Sequence, residues 1–422
     1  MNNESLHIVI VGNGIAGNSA ASAIRKNTRK AAITMVSNEP FPAYSACALS
    51  KKFMSGEMKR EDVFLKSMED YSSEGIRTLF NQSVTGLDFS NKQVLLRDGS
   101  IEYDKLIIAT GGKPIVPPIE GRDKREVFTL KSLENAEAIC NSSGRNCVVI
   151  GPGVIGVEAS ASLKKRGWAV RLIGGRYDRI LRQVFDEKPS AILKQKLNDL
   201  GIDVFTGERP AKFDGNTVVQ RLITDKSEIE CDMAVLALGI MPEVGLAEKS
   251  GIEIGSLGGI KTDEQMRTNI EDVYACGDCV ETRDVITGKN MLCLLWYNAR
   301  QQGDIAGCNA IGIRRKYCGT INIRGLHIGD IYAASIGHTM ESFDGNNVDL
   351  IESREEDYRG LVVADGIIVG AQFVGRNPDV GPLIGAIRRR DSLKKLQTMT
   401  GNIVAMNPLH YTLYPGISKS RI

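Results

Sequence analysis

No stretch of this chain approaches the ~18 consecutive apolar residues that a membrane-spanning helix needs, so no span is expected. The opening MNNESLHIVIVGNG has neither a charged n-region nor an apolar stretch of signal-peptide length, so no secretory leader is expected either. Charge of one sign is also missing: the formal net charge is +2, and no basic stripe with interleaved aromatics runs along the chain. That gives no electrostatic footprint for DNA or RNA. The clusters Lys164 to Arg166 and Arg388 to Arg390 read as solvated helix faces. Histidine is scarce, and His7, His327, His338 and His410 form no constellation, so neither a metal site nor a Ser–His–Asp nucleophile is assigned. The nine cysteines are an odd number without the spacing of a disulfide framework, which points to free thiols and a reducing, cytoplasmic setting.

What the chain has in quantity is glycine, 44 residues of it, at 42% hydrophobic and 25% charged content, a globular composition. At 422 residues two or three domains are expected. Six of these glycines belong to an internal repetition at a period of about one domain. LHIVIVGNGIAGNSAASAIRK is echoed by NCVVIGPGVIGVEASASLKKR from Asn146: an apolar run, a glycine turn, then an alanine- or serine-rich amphipathic stretch ending in Lys/Arg. A second apolar run follows each copy, near Ile33 and Val170. Later, YDKLIIATGG and CDMAVLALGI each set an aspartate (Asp104, Asp232) five residues before an alanine (Ala109, Ala237). In GNGIAG the first glycine (Gly12) allows a tight turn, Gly14 lets backbone N–H groups reach a pyrophosphate, and Gly17 lets helix and strand pack closely. Gly151, Gly153 and Gly156 of GPGVIG meet the same needs. One such motif is weak, but two copies, each after a strand and before a helix, are specific. TNIEDVYACGDCVE then ends a strand with Gly277 and Asp278, suited to a hydrogen bond with a sugar or ribityl hydroxyl.

With GNGIAG, ATGG, GPGVIGVE, ALGIMPE, ACGDC and LWYNARQQGDIAGCNAIG in place, the chain from about Leu6 to about Ala386 resembles the FAD/NAD(P)-dependent oxidoreductases of the glutathione-reductase fold. It is most similar to the branch of rubredoxin and ferredoxin reductases, NADH oxidases and nitrite-reductase flavin domains, which also holds electron-input flavin subunits of anaerobic iron–sulfur complexes. The resemblance implies an α/β fold class: two tandem Rossmann-like dinucleotide-binding domains plus a C-terminal α+β interface domain. It places an FAD-binding domain at 1–112 and 245–320, an NAD(P)-binding domain at 113–244, and the interface domain and tail at 321–422. Pro114, Pro117 and Pro118 mark the first crossing and Pro242 lies near the second, while alternation around the Asp365–Gly366 turn suits an antiparallel sheet.

The resemblance implies FAD and NAD(H) as cofactors, with NADP(H) open. PFPAYSACALSK aligns with the ferredoxin-reductase segment beside the flavin ring, which puts Lys51 near flavin N5 and gives it Glu158 as the pairing glutamate. A fixed ammonium there stabilises negative charge arriving with hydride. Cys47 has two readings: a redox thiolate, as in oxidases, peroxidases and coenzyme A-disulfide reductases, or a small buried apolar residue. The surrounding AYSACALSK follows the reductase pattern and favours the second. The cofactor-binding positions it carries over also include Ile15, Ala16, Glu39, Val84, Ala109, Thr110, Gly111, Val154, Ile155 and Gly239, with Trp296 and Asn298 as ring contacts.

Three features depart from relatives. The paired cysteines and His–Glu pair of disulfide reductases are absent, since His410 lacks the pattern and Cys276–x–x–Cys279 merely encloses the Gly-Asp pair. The ribose-binding acid of the first copy is displaced to Glu39, behind Ser37 and Asn38. The second copy reads Gly174, Gly175, Arg176 where an acid would select NAD and an arginine NADP. The expectation is an NAD(P)H:acceptor oxidoreductase exchanging electrons with an iron–sulfur or ferredoxin-like protein or larger oxidoreductase subunits, with homo-oligomers also compatible. Its rivals are an NADH oxidase, peroxidase or thiol-disulfide reductase using Cys47, and a stably bound subunit docking through its tail (Leu396 to Ile422, with Leu409, Tyr411, Leu413 and Tyr414).

Overall fold

The computed structural model describes residues 6–400 except 346–347, 354–356 and 377–379. His410 and the tail from 401 onward therefore lie outside the described residues. The chain divides into two compact units: 1–115 with 131–137 and 239–320, and 116–130 with 138–238 and 321–422.

The first unit is built on a five-stranded parallel sheet in the order Val273–Ala275, Lys105–Ile108, His7–Val11, Ala32–Val36, Ile76–Leu79. Its central strands are continuous apolar runs because both faces are covered, as parallel sheets require. The second unit repeats the plan with Val127–Thr129, Met233–Leu236, Asn146–Ile150, Ala169–Ile173 and Asp203–Phe205, again all parallel. The registers agree residue for residue. His7 pairs with Ala32 as Asn146 pairs with Ala169, and Ile8 with Lys105 as Cys147 with Met233. Each unit also inserts a three-stranded antiparallel sheet ahead of its returning strand, at 84–102 and at 210–230. The fold is α/β with two Rossmann-like units, as the duplicated text implies.

The echoed aspartates have a structural task. Asp104 accepts the N–H of His7 (2.6 Å), and its own N–H bonds the His7 carbonyl (2.8 Å). Asp232 accepts from Arg145 (2.8 Å) and Asn146 (2.9 Å) and returns its N–H to the Asn146 carbonyl. Each carboxylate thus ties the start of the first strand to the start of the returning one.

The segment from 321 forms a five-stranded antiparallel sheet ordered Ile323–Ile328, Ile331–Gly337, Ile367–Gly375, Tyr358–Ala364, Val348–Ser353, followed by helices Gly381–Arg389 and Leu393–Thr400. Asp365 and Gly366 both take positive φ (48° and 76°) between the paired Ala364 and Ile367, the two-residue turn whose twist matches a hairpin. Buried Asp186 precedes the Glu187–Asp199 helix and receives the Gln372 side-chain amide and the Met340 N–H, which fastens this sheet to the helix. No described helix is long and apolar enough to cross a membrane.

Candidate functional site

In the first unit three distant segments converge on the turn after His7–Val11. Gly12 has φ +115°, and a Cβ there would lie 2.1 Å from the Ala109 carbonyl oxygen. A Cβ on Gly17 would lie 2.0 Å from the Gly12 oxygen. Both glycines are demanded by packing. Gly14 is different: its backbone is extended and a Cβ would meet nothing within 4 Å. It precedes the Ile15–Asn27 helix, which has no side-chain cap and no acid in its first turn. The N-terminal amides and the positive dipole end of that helix therefore face an open cradle suited to an anion.

The Trp296–Ala310 helix lies along the Ile15–Asn27 helix at backbone contact. A Cβ at Gly303 would stand 2.1 Å from the Ala16 oxygen, and one at Gly307 2.3 Å from the Ala20 oxygen. Both helices thus begin at the same end. A Cβ at Gly277 would stand 2.8 Å from the Ala16 side chain and 3.7 Å from that of Ala299, so Asp278 joins the same end. The Gly277 N–H donates to buried Gln302 (2.8 Å). The sequence reading missed Gly303, Gly307 and Gln302; a small residue every fourth position facing Ala16 and Ala20 was the available signal.

Around this centre the other candidates take definite places. Trp296 opens its helix, half-exposed, with the Arg300 guanidinium 5.7 Å from its ring centroid. Asn298 is 2% exposed; its amide donates one N–H to the Cys293 carbonyl (2.9 Å) and its oxygen accepts from the Tyr317 hydroxyl. Half-buried Glu39 accepts the Tyr44 hydroxyl at 2.7 Å, and burial together with this carboxylate pushes the Tyr44 phenol well above its usual range. Val84 begins its strand half-buried. Ala109 is buried, Thr110 donates to the Glu243 carbonyl (2.7 Å), and Gly111 has φ +73° and accepts from the Glu243 N–H (2.9 Å). Gly239 is exposed at φ +100°, ahead of the Ile240–Pro242 strand that pairs with Gly112–Pro114.

Cys47 is half-buried in the short Ala46–Ala48 helix, and half-buried Lys51 follows in the π-helical turn Leu49–Phe53. All nine cysteines are thiols. Cys276 and Cys279 are fully buried, their thiols pushed up by desolvation, and Cys279 Sγ donates to the Cys276 carbonyl at 3.2 Å. Among the described residues no cluster of three His, Cys, Asp or Glu could hold a metal.

The second unit builds the same cradle. A Cβ on Gly151 (φ +123°) would meet the Ala237 oxygen at 2.3 Å and one on Gly156 the Gly151 oxygen at 1.9 Å, whereas Gly153 is open. The Val154–Lys165 helix lacks a side-chain cap and a first-turn acid. Val154 is half-buried, Ile155 is 41% exposed and Glu158, further along this helix, is buried. After Ala169–Ile173, Gly175 has φ +66° and open space, followed by Arg176, whose guanidinium donates to the Tyr177 hydroxyl (3.0 Å). Arg182 also stacks over the Tyr177 ring, at 4.7 Å. These residues fit two pyrophosphate-bearing dinucleotides, because in each unit the one glycine that packing does not require is the one facing open space.

A family model described as pyridine nucleotide-disulphide oxidoreductase matches residues 6–303. The chain is similar to an NADH oxidase of Methanocaldococcus jannaschii, 31% identical over 394 residues and 88% of each chain. It is similar to the NADH-dependent phenylglyoxylate dehydrogenase subunit epsilon of Aromatoleum evansii, 26% identical over 402 residues and 94% of each chain. Among solved structures it is similar to an NAD-dependent persulfide reductase from A. fulgidus, with TM-score 0.87 and 30% identity over 93% of this chain and 79% of the other.

Proposed function

Since the chain belongs to the pyridine nucleotide-disulphide oxidoreductase family, as an FAD-dependent NAD(P)H oxidoreductase with FAD and NAD(H) as cofactors, we propose that it passes electrons between NAD(P)H and an iron–sulfur or ferredoxin-like protein, as the electron-transfer subunit of a larger redox complex. The observation that carries this reading is a pair of open glycine cradles in a chain whose cysteines are all thiols. Similarity along 94% of its length to a subunit of an NADH-dependent dehydrogenase supports a protein acceptor.

The reading assigns FAD to 1–112 and 245–320, the nicotinamide dinucleotide to 113–244, and the interface to the C-terminal sheet, while 131–137 packs with the first unit. Bound flavin supplies hydride acceptance and single-electron release. The chain's part is binding, orientation and charge. Amides after Gly14 and Gly153 would hold the pyrophosphates, Asp278 and Glu39 would take sugar hydroxyls, Lys51 would offer its ammonium to the flavin ring, and buried Glu158 would line the nicotinamide slot.

A second reading has Cys47 as a redox thiol serving an oxidase, peroxidase or persulfide-type activity. Its support is the position of half-buried Cys47 immediately ahead of the Lys51 turn, together with similarity to an NADH oxidase and a persulfide reductase. Anaerobic stopped-flow with NADH and NADPH, then mixing with air or ferredoxin, separates the two. Fast reoxidation by ferredoxin and slow reoxidation by air supports electron transfer. Fast reoxidation by air or peroxide, abolished in Cys47→Ser, refutes it.

A further inference from the structure

A closed ring of hydrogen bonds in the first unit is not needed to build a dinucleotide-binding fold. Tyr71, on the Met68–Ser73 helix, is 1% exposed. Its hydroxyl receives the Ala43 N–H at 3.1 Å and lies 2.9 Å from Asn18 Oδ1 and 2.7 Å from Asn13 Oδ1. Asn18 Nδ2 reaches Asn13 Oδ1 at 2.8 Å, and Asn13 Nδ2 reaches the Phe41 carbonyl at 3.0 Å.

A phenol has one proton to donate. Asn13 Oδ1 is already served by Asn18, so the arrangement that satisfies every acceptor is directed. Ala43 donates to Tyr71, Tyr71 to Asn18, Asn18 to Asn13, and Asn13 to Phe41. The ring begins and ends on backbone 41–43, and burial pushes the Tyr71 hydroxyl up to about 12, so it stays a neutral donor at physiological pH. Asn13 stands between Gly12 and Gly14, Asn18 lies in the first turns of the Ile15–Asn27 helix, and Phe41–Ala43 leads directly to Cys47 and Lys51.

The second copy of the motif provides an internal control. It has Pro152 and Val157 where the first has Asn13 and Asn18, and it builds the same turn, helix and register. The polar ring is therefore an addition specific to the unit that carries Lys51.

We propose that this ring is a positioning device that sets the 41–51 segment, and with it the Lys51 ammonium, against the nucleotide-binding glycine loop, with Tyr71 as its positioning residue. The inference rests on the reading that places Lys51 beside flavin N5. Well-oriented groups lose rate steeply when displaced, about 10²-fold for ~1 Å. A loosened segment should cost flavin reduction about tenfold and make the flavin potential more negative, because a fixed cation favours the reduced, more negative ring.

The test uses four holoproteins: wild type, Tyr71→Phe, Lys51→Ala and the double variant. Each is measured for flavin midpoint potential, anaerobic reduction rate and melting temperature. The expected result is a slower rate and a more negative potential in Tyr71→Phe, with no further change when Tyr71→Phe is added to Lys51→Ala. Should Tyr71→Phe match wild type while Lys51→Ala is impaired, the inference falls and the reading of Lys51 stands. Equal effects of Tyr71→Phe in both backgrounds also overturn it, since the tyrosine would then be acting independently of Lys51. An unimpaired Lys51→Ala overturns both. If Tyr71→Phe does not retain flavin, Asn18→Val, copying Val157, breaks the same ring and is read in the same way.

Discussion

Replacing glycines of the first turn one at a time separates packing from ligand binding. Gly14 has φ −72° and ψ −174°, a conformation open to any residue, and a Cβ there meets nothing within 4 Å. Gly14→Ala should leave the fold intact, the gain of about 0.4–1 kcal/mol from a less flexible unfolded chain being offset by the poorer capping of alanine at this N-cap position. Its methyl occupies the cradle, however, and displaces a phosphate from the helix N-terminal amides. Losing one hydrogen bond to a charged group costs about 1.5–3 kcal/mol, which is roughly 10- to 100-fold in affinity. Gly17→Ala does the opposite. Its Cβ would lie 2.0 Å from the Gly12 carbonyl oxygen, so helix and strand must part. Overpacking of this kind costs about 1–3 kcal/mol, or roughly 3–10 °C in Tm for a unit of this size. The assay is thermal melting beside FAD titration of deflavinated protein followed by flavin fluorescence. Gly153→Ala should repeat the Gly14 behaviour for NADH while leaving FAD affinity unchanged. A Gly14→Ala protein that binds FAD like wild type, or melts as early as Gly17→Ala, refutes the assignment of the cradle.

The aspartate ties and the buried thiols give two further tests. The N–H groups of Arg145 and Asn146 hold the Asp232 carboxyl below its usual value, so its stabilisation is present above the unfolded pKa, about 3.9, and is lost as pH falls through the lower folded one. Asp232→Ala should cost about 1–2 kcal/mol at pH 7, with the deficit shrinking below about pH 4; urea unfolding at both pH values checks this, and a pH-independent deficit refutes it. Cys276 and Cys279 are fully buried with raised thiols, while Cys318 is exposed. Alkylation of the native protein, read by mass spectrometry, should mark Cys318 and spare the C-x-x-C pair until the chain unfolds; rapid native labelling of Cys276 or Cys279 would show their burial to be wrong.

The duplicated fold was legible because its requirements are local. A tight turn at Gly12 and at Gly151 demands positive φ, +115° and +123°, and glycine records that demand in the text. Alanine- and serine-rich helices after each turn and continuous apolar strands declare their period and burial in the same way. The aspartates Asp104 and Asp232 were visible as an echo, but their task was not. Tying one strand start to another is a relation between residues 97 or 86 positions apart.

The candidate site was legible as a set of motifs and opaque as an arrangement. GNGIAG, ACGDC and the Trp296 helix could each be read alone, yet what joins them is Gly303 and Gly307 pressed on Ala16 and Ala20, and Gln302 holding the Gly277 amide. Asn298 bonds Cys293 and Tyr317, partners that its own stretch of sequence does not announce. Nor does anything near Asn13 announce Tyr71, 58 residues away, as its partner. Backbone conformation and burial period are written residue by residue, so the sequence by itself determined the two-fold plan and its turning points. Which buried donor meets which acceptor depends on how whole elements pack, and only the tertiary structure decided that.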